Sequence, residues 1–337
     1  MAEPKTRPRV ALVGGDSLLA REIHGLLRQV SPAPLIEMIS ASAENAVILS
    51  AVDDAEEDGA AVLTPLSAQS LAGAQVAFLA GSPASSRRAL KLNPRGGPVL
   101  VDVTGALEDQ PNARLRAPSV EAGARSREQS IDVIAHPAAI AIAALLAVIA
   151  RRAVLRRIII HIFEPASERG KKGIDELQQQ TVAVLSFKKL KTEVFDAQLG
   201  FNLLARYGEE ALEPLESVEQ RIEKHLASLL AAFPSIPMPS LRLIQAPVFH
   251  GHSFSAWLEF EENPGPGSLA KILEDAGLDV RVDDPPSNVG ITGQSGLSIG
   301  AIATDSNQPR ACWLWAVADN LKLSAENAVA VARECLR

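Results

Sequence analysis

Few side chains in this sequence have a type and spacing that could run a reaction. His250 and His252 flank Gly251, where a metal site could begin, because alternate residues of a strand point to one face. No cysteine or carboxylate stands beside them, and zinc takes three or four protein ligands, so no metal is expected. The two cysteines are Cys312 and Cys335. Cys312 lies in the apolar run Ala311-Cys-Trp-Leu-Trp315 with no basic neighbour to lower its pKa, and reads as a small core side chain. Near the start, Gly14-Gly15-Asp16-Ser17-Leu18 could serve either of two chemistries. As the turn between a strand and a helix it could bring backbone amides to the pyrophosphate of a dinucleotide. As a Gly-Asp-Ser-Leu tetrad it could present a serine nucleophile, which needs a base, normally in an Asp-x-x-His late in the chain. The last histidine is His252, and Phe249 stands three residues before it, so that serine is an ordinary alcohol.

The elements that hold these groups are legible from periodicity. Arg9 to Val13 is a β-type run entering Gly14-Gly15, and Leu18 to Val30 follows with helical spacing. With Gly14 as the first glycine of the loop, the second position falls on Ser17 and the third on Ala20. Alanine still packs closely there, but Ser17 puts a side chain where a phosphate must approach. Leu35 to Ser40, Gln75 to Ala80 (ending in Gly81-Ser82-Pro83), Pro98 to Val103 and Ile131 to Ala135 read as further strands. Their alternation with helices predicts an α/β fold with a parallel, doubly wound sheet. From Arg156 the pattern changes. Arg157 to Phe163, Leu241 to Pro247, Phe254 to Glu259 and Trp313 to Val317 read as strands of a second sheet. Ile174 to Leu185, Ser217 to Leu230, Leu269 to Ala276 and Ser324 to Leu336 read as helices around it.

Totals narrow the function. The chain has 337 residues, enough for two domains and a sizeable core. A net charge of −7 and 4% aromatic residues argue against a nucleic-acid partner, which calls for a basic surface and stacking platforms. The stretch Val133 to Ala150 is apolar apart from His136, but Pro137 leaves only about 13 helix-compatible residues, against the roughly 20 that a membrane span needs. A buried helix is expected, with no membrane role. The charged start, Met1 to Arg9, has no apolar signal core, and two late cysteines make no disulfide framework; both point to the cytoplasm.

Several stretches together resemble the aspartate-semialdehyde dehydrogenase family along almost the whole chain. Val10-Ala-Leu-Val-Gly-Gly-Asp-Ser-Leu-Leu-Ala-Arg-Glu22 is similar to its nucleotide loop. Gly170-Lys-Lys-Gly-Ile-Asp-Glu-Leu177 resembles the segment after its catalytic-domain strand, and Gly200-Phe-Asn-Leu203 its Ala-Phe-Asn motif. Ala246-Pro-Val-Phe-His-Gly-His-Ser253 resembles its Pro-Val-Phe-Arg-Gly-His-Ser, and Val317-Ala-Asp-Asn-Leu321 its C-terminal Val-Ala-Asp-Asn-Leu. Any one is weak; five in the family's order and spacing are specific. The string Gln245 to Phe249 with the Gly-Lys-Lys run resembles in particular the Usg-type paralogues, which lack the catalytic cysteine. The resemblance implies a Rossmann-like domain over residues 1–135 completed by a C-terminal helix at 317–337. It also implies an α+β dimerisation domain with a mixed sheet over 136–316, hence a homodimer.

In active relatives a cysteine of an Asn-Pro-Asn-Cys motif attacks the carbonyl and forms a thioester. A histidine serves as acid and base, a glutamine orients the intermediate, and arginines hold an anionic substrate. Carried over residue by residue, the nucleophile motif falls on His136-Pro-Ala-Ala139, which puts the inert Ala139 at the cysteine position. Loss of a covalent nucleophile costs on the order of a million-fold in a triad enzyme. The histidine is kept as His252, the glutamine becomes Glu164, and the two substrate arginines become Gln245 and Glu108. A carboxylate facing an anion at about 4 Å costs about 4 kcal/mol at an effective dielectric near 20. For a nucleotide the matching contacts are Gly14, Gly15, Ser17, Leu18, Gly81 and Asn320. Ser40-Ala-Ser-Ala-Glu44 stands where relatives place an arginine for a 2′-phosphate, so NAD is favoured over NADP. The expectation is a family member without catalysis: a dimeric scaffold or regulatory subunit that senses a small anionic metabolite or forms a heteromer with an active dehydrogenase. The alternative is an NAD(P)-dependent oxidoreductase of aspartate-family amino-acid biosynthesis with altered chemistry at His252 and Glu164.

Overall fold

The computed structural model describes residues 7–41, 47–49, 61–121 and 131–336. The chain forms two compact units, Met1–Ala135 with Ser324–Arg337, and His136–Leu323.

The first unit contains β1 (Arg9–Val13), α1 (Leu18–Arg28), β2 (Leu35–Ile39), β3 (Val47–Leu49), β4 (Ala61–Leu63), α2 (Ala68–Leu71), β5 (Val76–Leu79), α3 (Pro83–Leu92), β6 (Val99–Asp102), β7 (Ala113–Arg116) and β8 (Ile131–Ile134). Six strands make one parallel sheet in the order β2-β1-β5-β6-β8-β7, a Rossmann-like arrangement, while β3 and β4 pair as a small antiparallel ribbon. All four residues of β5 are buried, as expected of a central parallel strand covered on both faces. Several elements gave no apolar signal in the sequence, α3 and β7 among them. Helix α3 carries Arg87, Arg88 and Lys91, but Ser82 and Ser85 cap its start reciprocally and Pro83 opens its first turn. Strand β7 ends in Arg116, whose side chain is wholly buried because three carboxylates surround it. Its guanidinium lies 2.6 Å from Glu121, 2.9 Å from Glu334 and 3.6 Å from Asp132. Asn327 accepts from the backbone N–H and hydroxyl of Ser119 at 3.1 and 3.0 Å. These contacts bind the last turns of the C-terminal helix to the strands of this unit.

The second unit begins with α4 (Pro137–Ala150) and β9 (Leu155–Glu164), then a 3-10 turn at Ala166–Arg169. It continues through α5 (Gly170–Leu185), α6 (Leu215–Leu230), β10 (Ser240–Gln245), β11 (His252–Phe260), α7 (Pro266–Asp275), β12 (Asp279–Arg281), α8 (Asn288–Ile291), β13 (Ser298–Thr304), β14 (Ala311–Ala318) and the start of α9 (Asn320–Cys335). The sheet is mixed, in the order β10-β9-β11-β14-β13-β12. Strand β10 runs parallel to β9 and β12 to β13, and the other neighbours are antiparallel. Register separates its two faces. Ile158, Ile160, Ile162, Leu243, Phe254, Ala256, Leu258, Leu314 and Ala316 share the inner face and are buried. Helix α4 is apolar around its whole circumference and packs on that face, with Ala141, Ile142 and Leu145 meeting Ile160, Phe254, Ala256 and Ala316. Among the described residues no helix is long and apolar enough to cross a membrane.

The outer face is different. Ile159, His161 and Phe163 of β9 pair across to Trp257, Ser255 and Ser253 of β11, and Trp257 and Ser255 pair onward to Trp313 and Trp315 of β14. Ile159 is 41% exposed and Trp313 36%. Asp305 fixes two of these rings, its Oδ2 accepting from Trp257 Nε1 at 3.0 Å and Trp313 Nε1 at 2.7 Å.

Candidate active site

The apolar inner face of the second unit ends in a row of polar side chains. Gln245 pairs with Glu164, and since Ser253 pairs with Phe163, the same register sets His252 beside Glu164 on the other side. Neighbours in such a row stand about 5 Å apart. All three are completely buried or nearly so, His252 at 1%. Gln245 is saturated: its Nε2 donates to the carbonyls of Glu164 (2.8 Å) and Ala246 (3.1 Å), and its Oε1 accepts from the Tyr207 hydroxyl (2.6 Å).

The 3-10 turn after β9 brings Glu168 and Arg169 against this row. Its tightness depends on Gly173 in the first turn of α5, where a Cβ would fall 2.3 Å from the Ala166 carbonyl oxygen. Arg169 donates to Glu164 Oε1 at 3.2 Å and Glu213 Oε2 at 2.6 Å, with its guanidinium 5.4 Å from the centre of the Tyr207 ring. Glu213 is shared with Arg221. Glu168 Oε1 accepts from Asn320 Nδ2 at 2.7 Å, and the Asn320 oxygen accepts in turn from the Ser167 hydroxyl and the Gly251 N–H, both at 3.1 Å. Glu168 then stands 3.6 Å from His136 Nε2 and 4.0 Å from His252 Nδ1. His136 caps α4, its Nδ1 accepting from the Ala138 N–H at 3.2 Å, so Nε2 carries the proton. Its own N–H donates to His225 Nδ1 at 2.9 Å, and its ring centre lies 5.6 Å from that of His252.

Burial dominates the electrostatics. It pushes Glu164 up to about 7 against the opposing pull of Arg169, with Glu168 adding to the rise. It raises Glu168 as well, against the Asn320 hydrogen bond. It drives His252 down to about 3 and His136 well below the ordinary histidine range, with the His252 and His225 charges adding to the effect on His136. Arg169 loses by burial but gains more from Glu164, Tyr207 and Glu168, and stays firmly charged. Four buried polar atoms here have no hydrogen-bond partner: Glu164 Oε2, Arg169 Nε and both ring nitrogens of His252.

The residues singled out by sequence fall in both units. Ala139 is a wholly buried methyl in the first turn of α4, three residues after the capping His136. Cys312 pairs with Leu258, six residues along β11 from His252 and so about 20 Å away. Burial raises its pKa, and it bonds Asn263 Oδ1 at 3.2 Å. Cys335 sits in the last turn of α9, its Sγ 3.3 Å from the Val331 carbonyl oxygen. Of His250 and His252 only the second lies on a strand: β11 starts there, and Gly251, at φ +82, turns the chain between them, so a turn histidine stands beside a buried one. Among the described residues no group of three or more His, Cys, Asp or Glu side chains is placed to hold a metal. Asn320, read as a nucleotide contact, spends its amide on Glu168, Ser167 and Gly251.

In the first unit, Gly14 at φ +84 touches Gly81, and a Cβ on Gly14 would lie 2.3 Å from the Gly81 Cα. The amides of Gly14 and Gly15 donate to the Ile39 carbonyl at 2.8 and 3.1 Å. Ser17 caps α1, whose first residue is Leu18, and its hydroxyl accepts from the Ala20 N–H at 3.0 Å. Glu108 is half-buried in the turn after β6. Glu44 lies outside the described residues. Sequence reasoning missed Glu168, Arg169, Tyr207 and Glu213. The one available signal was two opposite charges directly ahead of the Gly170-Lys-Lys run.

A Rossmann-like parallel-sheet unit and a mixed-sheet unit define the class: an α/β protein built on a dehydrogenase scaffold. The family model "Semialdehyde dehydrogenase, dimerisation domain" matches residues 145–323, and the chain belongs to that family. It is 30% identical over 264 residues to a USG-1 protein homolog of Azotobacter vinelandii, covering 77% of this chain and 78% of that one. It is 28% identical over 214 residues to an aspartate-semialdehyde dehydrogenase of Rickettsia bellii, covering 61% of this chain and 62% of the relative. A solved structure of a probable aspartate-semialdehyde dehydrogenase from Pseudomonas aeruginosa superposes with a TM-score of 0.81 at 26% identity, covering 97% of this chain and 98% of that one.

Proposed function

We propose that this protein is a homodimeric member of the semialdehyde dehydrogenase family that keeps the scaffold without the thioester chemistry. One observation carries the reading: where the resemblance puts a nucleophile, Ala139 offers a buried methyl, and His252 has neither a thiol nor any other hydrogen-bond partner. A histidine held near 3 is neutral at physiological pH and has no proton to take from a methyl group. Gln245 at an arginine position is already saturated, and Glu164 and Glu168 repel a second anion. The test is incubation with aspartate semialdehyde, phosphate and NAD or NADP. The expected result is no reduced nucleotide above the uncatalysed background and no thioester adduct by intact mass; turnover would sink the proposal.

The nucleotide loop supports the same reading. Gly14 and Gly81 keep its close backbone packing, but the Ser17 hydroxyl accepts from one of the helix N-terminal amides that a pyrophosphate would use, and two loop amides are bonded to Ile39. These residues do not fit a dinucleotide, and the preference for NAD rests on Glu44 alone. The dimer rests on the open outer face with Ile159, Trp257, Trp313 and Trp315. Sedimentation should give a dimer, and Trp313→Glu a monomer. A second reading, proton transfer by Glu164 and His252, is favoured by their adjacency and by a carboxyl titrating near 7. It requires some small carbonyl substrate whose turnover His252→Ala abolishes.

A further inference from the structure

We propose that the buried polar row of the second unit binds a small organic cation, a primary ammonium on a short stem, in place of the anionic substrates of active relatives. This rests on the reading that the site no longer performs thioester chemistry, and it names what the remaining groups recognise.

The carboxylates outnumber the guanidiniums. Three carboxylates, Glu164, Glu168 and Glu213, face two guanidiniums, and both guanidiniums are drawn to the Glu213 side. Arg221 pairs with Glu213, and Arg169 divides itself between Glu213 and a single oxygen of Glu164. Glu164 Oε2 is left buried and unpartnered. The two ring nitrogens of His252 are also unpartnered in a side chain that is 1% exposed, and one of them must be a lone pair in the neutral ring. Arg169 Nε is unpartnered too, but its guanidinium already bonds two carboxylates; buried polar atoms in a native protein are almost always satisfied, and a donor reaching Glu164 and His252 supplies what these acceptors lack.

Glu168 supplies the third acceptor and the entrance. Its side chain keeps 16% exposure beside Arg169 and Arg221, while Glu164 behind it has none. Asn320, itself held by Ser167 and Gly251, fixes the carboxylate in place, so it cannot swing into solvent. The 4.0 Å between Glu168 Oε1 and His252 Nδ1 is too wide for a hydrogen bond and wide enough for one donor group shared between them. An ammonium has three N–H donors, which matches Glu164 Oε2, Glu168 and a His252 nitrogen in number and sign. A carboxylate or phosphate would meet two like charges, which the single N–H of a neutral imidazole does not offset. The site has therefore inverted its charge preference while keeping its position in the fold.

The experiment is calorimetric titration of the full-length protein at pH 8 with propylammonium chloride, and with sodium propionate at the same ionic strength. Saturable binding of propylammonium, no binding of propionate, and at least a tenfold loss of affinity in both Glu168→Gln and Glu164→Gln are expected. Glu193→Gln, which removes the same charge from an exposed loop, should leave affinity unchanged. Preferential binding of propionate, equal amine binding in wild type and both site variants, or no saturable amine binding by a folded wild type overturns the proposal. Turnover of aspartate semialdehyde overturns the non-catalytic reading whatever the amine titration gives, whereas an inert titration removes the cation site alone.

Discussion

Glu164→Gln gives the sharpest test of the electrostatics at the end of the sheet. The wild-type carboxyl titrates at about 7 instead of its ordinary 4.5 because it is buried between Gln245 and His252. A raised folded pKa means that the native state holds a proton that the unfolded chain has released. The stability linked to Glu164 is therefore fully present below pH 4.5 and lost as pH rises through 7. The size of this loss is about 3 kcal/mol. His252 acts in the opposite sense. Its folded pKa falls from 6.5 to about 3, so its contribution is present above 6.5 and lost as pH falls towards 3. In wild type the two slopes, each about 1.4 kcal/mol per pH unit, oppose one another between 4.5 and 6.5. Gln at 164 removes one of them, so the variant's stability relative to wild type should climb by about 3 kcal/mol from pH 4.5 to pH 8. All three tryptophans, Trp257, Trp313 and Trp315, lie in the second unit, so urea unfolding followed by fluorescence reads that unit directly. A difference between variant and wild type that stays constant across this pH range would refute the reasoning.

Other outcomes follow from particular contacts. Arg116→Ala leaves Glu121, Asp132 and Glu334 around an empty space and should cost about 3–5 kcal/mol, seen as a lower urea midpoint by circular dichroism. Gly14→Ala adds a Cβ 2.3 Å from the Gly81 Cα at a positive φ and should cost about 2–4 kcal/mol, read in the same way. Asp305→Ala frees the indole N–H groups of Trp257 and Trp313 and should shift the emission spectrum of the folded protein, without removing the sheet's circular-dichroism signal.

Much of the scaffold was legible because burial on both faces leaves unbroken apolar runs. Strand β5 and the strand-loop-helix at Gly14 stood out for that reason, and so did α4. Some of the elements that escaped carry polar residues satisfied by tertiary partners. Arg116 hides β7 because its carboxylates come from β8, the following turn and the chain's last helix. The polar row was half visible: resemblance pointed to Glu164, Gln245 and His252, but only strand register shows that they stand side by side. Glu168 and Arg169 had no such signal, since their orientation is set by a 3-10 turn packed on Gly173. The Asn320 role was equally hidden, being the property of a hydrogen-bond chain between segments far apart in sequence.

Helix α4 has an implication for how the chain must be made. Having no polar side, it cannot rest against water on any surface, and its cover comes from α6, α7 and strands as late as β14. At about 5–20 residues per second, a ribosome leaves this greasy rod uncovered for on the order of ten seconds or more. Nascent chains stopped before Ala318 should accordingly need a chaperone to stay in solution, which makes this segment the natural bottleneck for producing the protein.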